Sequence, residues 1–196
     1  MKTTRSEKRT NKIISVIKSR QKSLHVVLEN IHDPHNVSAI FRTCDAAGIP
    51  KVSLIYNKEK FPRIGKKSSA SAFKWVEKEK FKTVEECYSD LRKNGFKIFA
   101  SAITENAVDV YEIDFTKKCA IVMGNENRGL SDEAIEQADV RFKIPMFGMV
   151  QSLNVSVSAA IVIYEALRQR RKNTKFDRSE LTKKQILEML SRWSEK

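Results

Sequence analysis

Gln151, Ser152 and Asn154 stand between two apolar runs in IPMFGMVQSLNVSVSAAIVIYEALRQR, Ile144 to Arg170, where a buried helix ought to begin. Arg168, Arg170 and Arg171 gather where the second run ends. A second polar stretch, GNENRGL (124 to 130), carries glycines at the spacing of a phosphate loop. It lacks the Lys and Ser/Thr that such a loop needs next, having Leu130 and Ser131 there, and no GxGxxG occurs elsewhere. As a bare pattern it is a turn with one carboxylate, Glu126. A third stretch, IHDPHN (31 to 36), offers His32, Asp33 and His35. Pro34 makes it a turn without the fixed face of HExxH, so a metal site is not indicated. Asn36 suits the N-cap of the helix that follows. Within that helix Arg42 lies beside apolar Ile40 and Phe41, where an arginine either snorkels outward or is held for an anion. No Ser/His/Asp or Cys/His arrangement and no carboxylate pair is apparent.

These stretches need elements to position them. LHVVLEN (24 to 30), KVSLIY, FKWVE, FKIFASA, CAIVMG and VRFKIPM read as strands. NVSAIFRTCDAAG (36 to 48), TVEECYSDLRKNG with Thr83 as cap, SDEAIEQA with Ser131 as cap, and the run from Val155 read as helices, and a polar, basic loop spans 57 to 71. Such alternation predicts an α/β fold, a mostly parallel sheet with helices on both faces. Ligands of such sheets gather at the carboxyl ends of the strands, which selects the loops IHDPHN, ASAITEN, MGNENRGLS and PMFGMVQSLN.

The 196 residues suit one domain with appended helices. Three cysteines, Cys44, Cys87 and Cys119, without metal spacing read as reduced thiols. No segment approaches the ~18 continuous apolar residues of a membrane helix, and a soluble, cytoplasmic protein is expected. The net charge of +13 is concentrated at the ends, with eight Lys/Arg against one acidic residue in 1 to 22 and ten against four in 168 to 196. Both ends carry helical apolar spacing, Ile13, Ile14 and Ile17 at the start and Leu181, Ile186, Leu187, Leu190 and Trp193 at the end. Docked helices with basic outer faces suit a polyanion such as RNA.

Read together, NIHDPHNVSAIFRTCDAAGI, IVMGNENRGLSDEA and the Ile144 to Arg170 stretch resemble the three motifs of the SpoU/TrmH family of SPOUT RNA 2'-O-ribose methyltransferases, a resemblance that covers the whole chain. It implies a parallel sheet with a carboxyl-terminal trefoil knot, which general connectivity rules alone would reject. It also implies a homodimer through the knot region, and S-adenosylmethionine as cofactor with S-adenosylhomocysteine as product and no metal. The division implied is a basic helix in 1–22, a methyltransferase domain in 23–171 and a helical extension in 172–196. Arg42 is the implied catalytic arginine at the ribose hydroxyl, with Asn36, Glu126, Ser152 and Asn154 as its companions. Ser101, Gly124, Ile144, Met146, Ser152 and Leu153 are implied to hold the cofactor. Arg9, Lys12, Arg20, Arg168, Arg170 and Arg171 are the expected RNA contacts. The flanking helices point to tRNA, with a D-loop guanosine as target. A ribosomal RNA substrate, or a binding protein without catalysis, are the competing readings.

Overall fold

Leu24–Glu29 (β1) is buried along its whole length, as a strand inside a parallel sheet must be. Its side chains alternate, so Leu24, Val26 and Leu28 enter one core and Val27 the other. The computed structural model describes residues 5–63, 72–173 and 178–195. Around β1 run Lys51–Ile55 (β2), Glu77–Phe81 (β3), Lys97–Ser101 (β4), Val108–Asp109 (β5), Cys119–Met123 (β6) and Val140–Lys143 (β7). All described pairings are parallel, in the order β3-β2-β1-β6-β4-β7-β5. The carboxyl ends therefore share one edge, and the chain reverses its direction of winding beside β1, where such sheets bind ligands.

Pro34–Ala46 (α2) and Val155–Arg171 (α6) pack together over one face, burying Val37, Ile40, Phe41, Val162 and Ile163 in the larger core. Val84–Lys93 (α4) and Asp132–Glu136 (α5) cover the other face, the first capped by Thr83 and the second by Ser131 as their sequences predict. Each fully buried Val, Leu or Ile contributes about 1.5–3 kcal/mol, so the two faces supply most of the driving force. Arg5–Lys18 (α1) and Lys183–Ser194 (α7) dock on each other through Ile17, Met189 and Trp193. The flanking helices are thus one small packed layer.

Several expectations are corrected. FKWVE is not a strand. Ala72–Trp75 (α3) is a helical turn whose Phe73 stacks on Phe41 and whose Trp75 meets Trp193, and the strand is the exposed EKEKF after it. Its polar edge carries Lys78 over Phe73 and Lys80 over Phe61. Part of the loop expected over 57–71 lies outside the described residues. The helix expected from Asn36 starts at Pro34, because Asp33 accepts from the His35 N–H and proline favours the first helical position.

Arg20 and Arg170, expected at an RNA surface, are buried instead. Arg20 pairs with Asp45 at 2.6 Å, donates to the Ile49 and Trp75 carbonyls and lies over Trp193. Arg170 donates to the carbonyls of Phe115, Lys117 and Ser23 and to Ser23 Oγ, between 2.8 and 3.1 Å. Guanidinium forks suit such multiple donation, and here they staple the basic ends to the sheet.

Candidate active site

Glu126 sits just past β6 and gathers three loops. Its Oε2 accepts from the His32 N–H at 3.0 Å, and its Oε1 accepts from the Asp33 N–H at 3.1 Å and from Asn36 Nδ2 at 2.8 Å. Burial alone would raise this carboxyl, but those donors outweigh it and hold Glu126 below the usual carboxylate range. Asn36, buried in the first turn of α2, passes the link on, since its Oδ1 accepts from Asn154 Nδ2 at 3.0 Å. Asn154 also caps α6, accepting from the Ser156 N–H at 2.8 Å. One hydrogen-bonded line therefore ties the loops after β1, β6 and β7.

The loop after β6 is held from within. Asn125 and Gly129 exchange backbone bonds at 2.9 Å, and Asn125 Oδ1 accepts from the N–H groups of Asn127 and Arg128. A Cβ on Gly124 would lie 2.3 Å from Gly129 C and 2.4 Å from Leu130 N, so only glycine permits this closure. Gly129, at φ +69°, takes the left-handed turn position. Asn30, which the sequence reading passed over, adopts φ 51° at the end of β1. Its carbonyl accepts from Asn125 Nδ2, and its Oδ1 accepts from the N–H groups of Lys58 and Glu59. Asparagine after a strand is the available signal, because it tolerates this conformation.

Beside the line opens a cavity of about 420 Å³ at the carboxyl ends of β4, β6 and β7. Ser101, Gly124, Ile144, Met146, Ser152 and Leu153 all line it, although they come from the end of β4 and the separate loops after β6 and β7. Glu126 and Gln151 line it too, as do Thr104 and Arg128, which the sequence reading missed. Thr104 Oγ1 is buried without a hydrogen-bond partner in this wall of the cavity. Apolar walls, a few convergent polar groups and this volume fit a nucleoside-sized molecule. Asn36, Asn154 and Arg42 do not line the cavity. Arg42 is exposed on α2 and makes no hydrogen bond or ion pair among the described residues. An unpaired guanidinium on a rigid helix is available to an incoming anionic or hydroxylic group.

The expected RNA contacts divide by exposure. Arg9, Lys12 and Arg171 are exposed, Arg168 is half-exposed and clamped to Glu165 by two bonds of 2.7 Å, and Arg20 and Arg170 are internal. Among the described residues no cluster of His, Cys, Asp and Glu has metal-binding geometry, and no helix is long and apolar enough to cross a membrane.

Residues 23–164 match the model of the SpoU rRNA Methylase family. The chain belongs to the SpoU methylase family. Among its SpoU relatives is the tRNA (guanosine(18)-2'-O)-methyltransferase of Thermus thermophilus, 42% identical over 192 residues that cover 98% of each chain. The enzyme of the same name from Aquifex aeolicus is 38% identical over 96% of this chain and 89% of its own. The crystal structure of the A. aeolicus TrmH/SpoU tRNA modifying enzyme superposes with a TM-score of 0.90 at 37% identity, over 97% of this chain and 96% of that one. A more distant SpoU structure, AviRb from Streptomyces viridochromogenes in complex with AdoMet, has a TM-score of 0.69 at 26% identity, over 81% and 65%.

Proposed function

We propose that this SpoU chain transfers a methyl group from S-adenosylmethionine to the ribose 2'-hydroxyl of the D-loop guanosine, position 18, of tRNA, a reading supported by end-to-end relatives named tRNA (guanosine(18)-2'-O)-methyltransferase. The observation that carries the reading is the one cavity that Ser101, Gly124, Ile144, Met146, Ser152 and Leu153 share, with the Asn154–Asn36–Glu126 line meeting it at Glu126.

Bound there, S-adenosylmethionine supplies an activated methyl group on a sulfonium. The chain's own work is alignment and proton management. Leu130, Ile144 and Leu153 offer apolar walls to a base, and Ser152 and Gln151 offer polar contacts to the rest. The ionised Glu126 fixes Asn36, and Asn36 fixes the start of α6, so the two walls keep their spacing. Arg42 takes the ribose hydroxyl. A guanidinium keeps its proton and is a poor base, so Arg42 stabilises the developing alkoxide while a substrate phosphate accepts the proton. The reading calls for no metal, and S-adenosylhomocysteine is the product to be released.

A second copy completes the site. Phe147 and Met149 are 98% and 100% exposed beside the cavity, and Val157 and Tyr164 are half-exposed on α6, an apolar surface suited to a C2 interface. Such a dimer brings the partner close to Arg42. The knot is part of the same reading, supported by the insertion of β6 between β1 and β4 and of β7 between β4 and β5. The family model's description names ribosomal RNA, which keeps that substrate as the second reading. Methyl transfer to unmodified tRNA by the unaltered chain, Arg42→Ala and Arg42→Lys tests the assignment. Strong activity, near-complete loss and partial retention are expected in that order, and equal, near-unaltered turnover in all three contradicts it.

A further inference from the structure

Both tryptophans of the chain, Trp75 and Trp193, line one cleft of about 290 Å³ together with Arg9, Lys12, Ile13, Val16 and Asp45. The indole rings meet at 4.7 Å, tilted by 52°. Trp193 is buried between Trp75 and the Arg20 guanidinium, while Trp75 is only half-buried. Packing of α1 on α7 accounts for the apolar members, since Ile13, Val16 and Trp75 border the Ile17–Met189–Trp193 cluster. It does not account for Arg9 and Lys12. These two are exposed, stand three residues apart on one face of α1, and form no ion pair among the described residues. Asp45, on the opposite wall, follows Arg42 by three residues on α2, which places the cleft about 5–6 Å of helix surface from that arginine.

We infer that this cleft takes an unpaired nucleobase of the RNA substrate, stacked on Trp75, with the flanking phosphates on Arg9 and Lys12. The inference rests on the function proposed above and extends it to a second nucleotide, bound next to the one that Arg42 meets. Every base offers a π-face to an aromatic ring, and unstacked bases of RNA loops are recognised in this way. Asp45, whose side chain is 30% exposed, can only accept, which favours a base with N–H donors on its edge. Charge selects RNA over a second copy of the chain, because the cationic rim would face another molecule of net charge +13.

The test is a titration of the full chain with unmodified tRNA transcript, followed by tryptophan emission and separately by mobility shift. Emission is expected to change and to saturate with the shift, because both reporters line the cleft. Trp75→Ala should weaken tRNA binding about tenfold, and Trp75→Phe should recover most of it, with the salt dependence unchanged in both. Arg9→Gln should instead lower the slope of log Kd against log salt by about one. Cofactor affinity should hold in all three variants. Static emission from the unaltered chain while tRNA binds overturns the inference and leaves the function standing, as does Trp75→Ala binding within about twofold of the unaltered chain. Emission that follows protein concentration without RNA assigns the cleft to a second copy and overturns it as well. Absence of any tRNA binding overturns both readings.

Discussion

Asn154 Nδ2 donates to Asn36 Oδ1 across 3.0 Å, joining residues 118 apart in sequence and fixing the start of α6 against the start of α2. Asn36 in turn donates to Glu126, so one amide joins the loop after β6 to the start of α6. Asn36→Ala should lower stability by about 1.5–3 kcal/mol, the value of a hydrogen bond to a charged group, and weaken cofactor binding with it. Asn36→Asp should be worse, because a second carboxylate would face Glu126. Thermal denaturation with cofactor titration calorimetry measures both, and an Ala variant as stable as the unaltered chain would show that Glu126 does not need its donor.

Glu126 gives the loop a pH dependence whose sign follows from its depressed pKa. A carboxylate held below its unfolded value contributes stability at neutral pH, and that contribution disappears as pH falls through the folded pKa. The stability difference between the unaltered chain and Glu126→Gln should therefore be full above the ordinary glutamate value of about 4.3 and shrink as pH falls below it. Denaturant midpoints across that range test it, and a difference that grows on acidification would contradict the account. Glu59, Asp114 and Glu165 are depressed as well and add a decline common to both proteins.

Gly124→Ala should open the loop that closes the cavity. The added methyl would meet backbone atoms of Gly129 and Leu130, not flexible side chains, so relief requires breaking the Asn125–Gly129 exchange. Overpacking of this kind costs about 1–3 kcal/mol, or roughly 5- to 150-fold in affinity if it falls on the bound state. Cofactor binding within about twofold of the unaltered value would show that the loop opens at no cost.

Arg170 and Arg171 are neighbours with opposite tasks. Removing Arg170 takes the donor from the carbonyls of Phe115 and Lys117, while that of Ser23 keeps the Cys119 N–H, and Arg170→Ala should cost about 3–5 kcal/mol. Arg171→Ala should change stability by less than about 0.5 kcal/mol and weaken tRNA binding instead. Urea denaturation beside mobility-shift titration separates the two effects. A stable Arg170→Ala with reduced RNA affinity would return Arg170 to the surface.

These two arginines show where sequence reading stops. Charge runs and helical spacing foretold docked basic helices, but a guanidinium that faces RNA and one that faces backbone carbonyls are the same letter. Asn36 was legible as a capping residue and Glu126 as a lone carboxylate in a turn. Asp33 took the cap, and Asn36 was left free to reach Glu126, a pairing across 90 residues that no local pattern carries. The strands were legible because parallel strands buried on both faces read as unbroken apolar runs. FKWVE misled for the same reason, its aromatic residues being apolar for the sake of Phe41 and Trp193 and not for a sheet. Of the four loops foreseen at the carboxyl edge, those after β4, β6 and β7 line the cavity and IHDPHN does not, whereas Thr104 lay hidden because no sequence pattern marks a hydroxyl that is left without a partner.

The most direct test of the central claim is transfer of label from S-adenosylmethionine to unmodified tRNA transcripts and, in parallel, to ribosomal RNA, with the modified nucleotide mapped afterwards. The account predicts label on the ribose 2'-oxygen of the D-loop guanosine of tRNA. Label confined to ribosomal RNA, or none on either RNA, would contradict it.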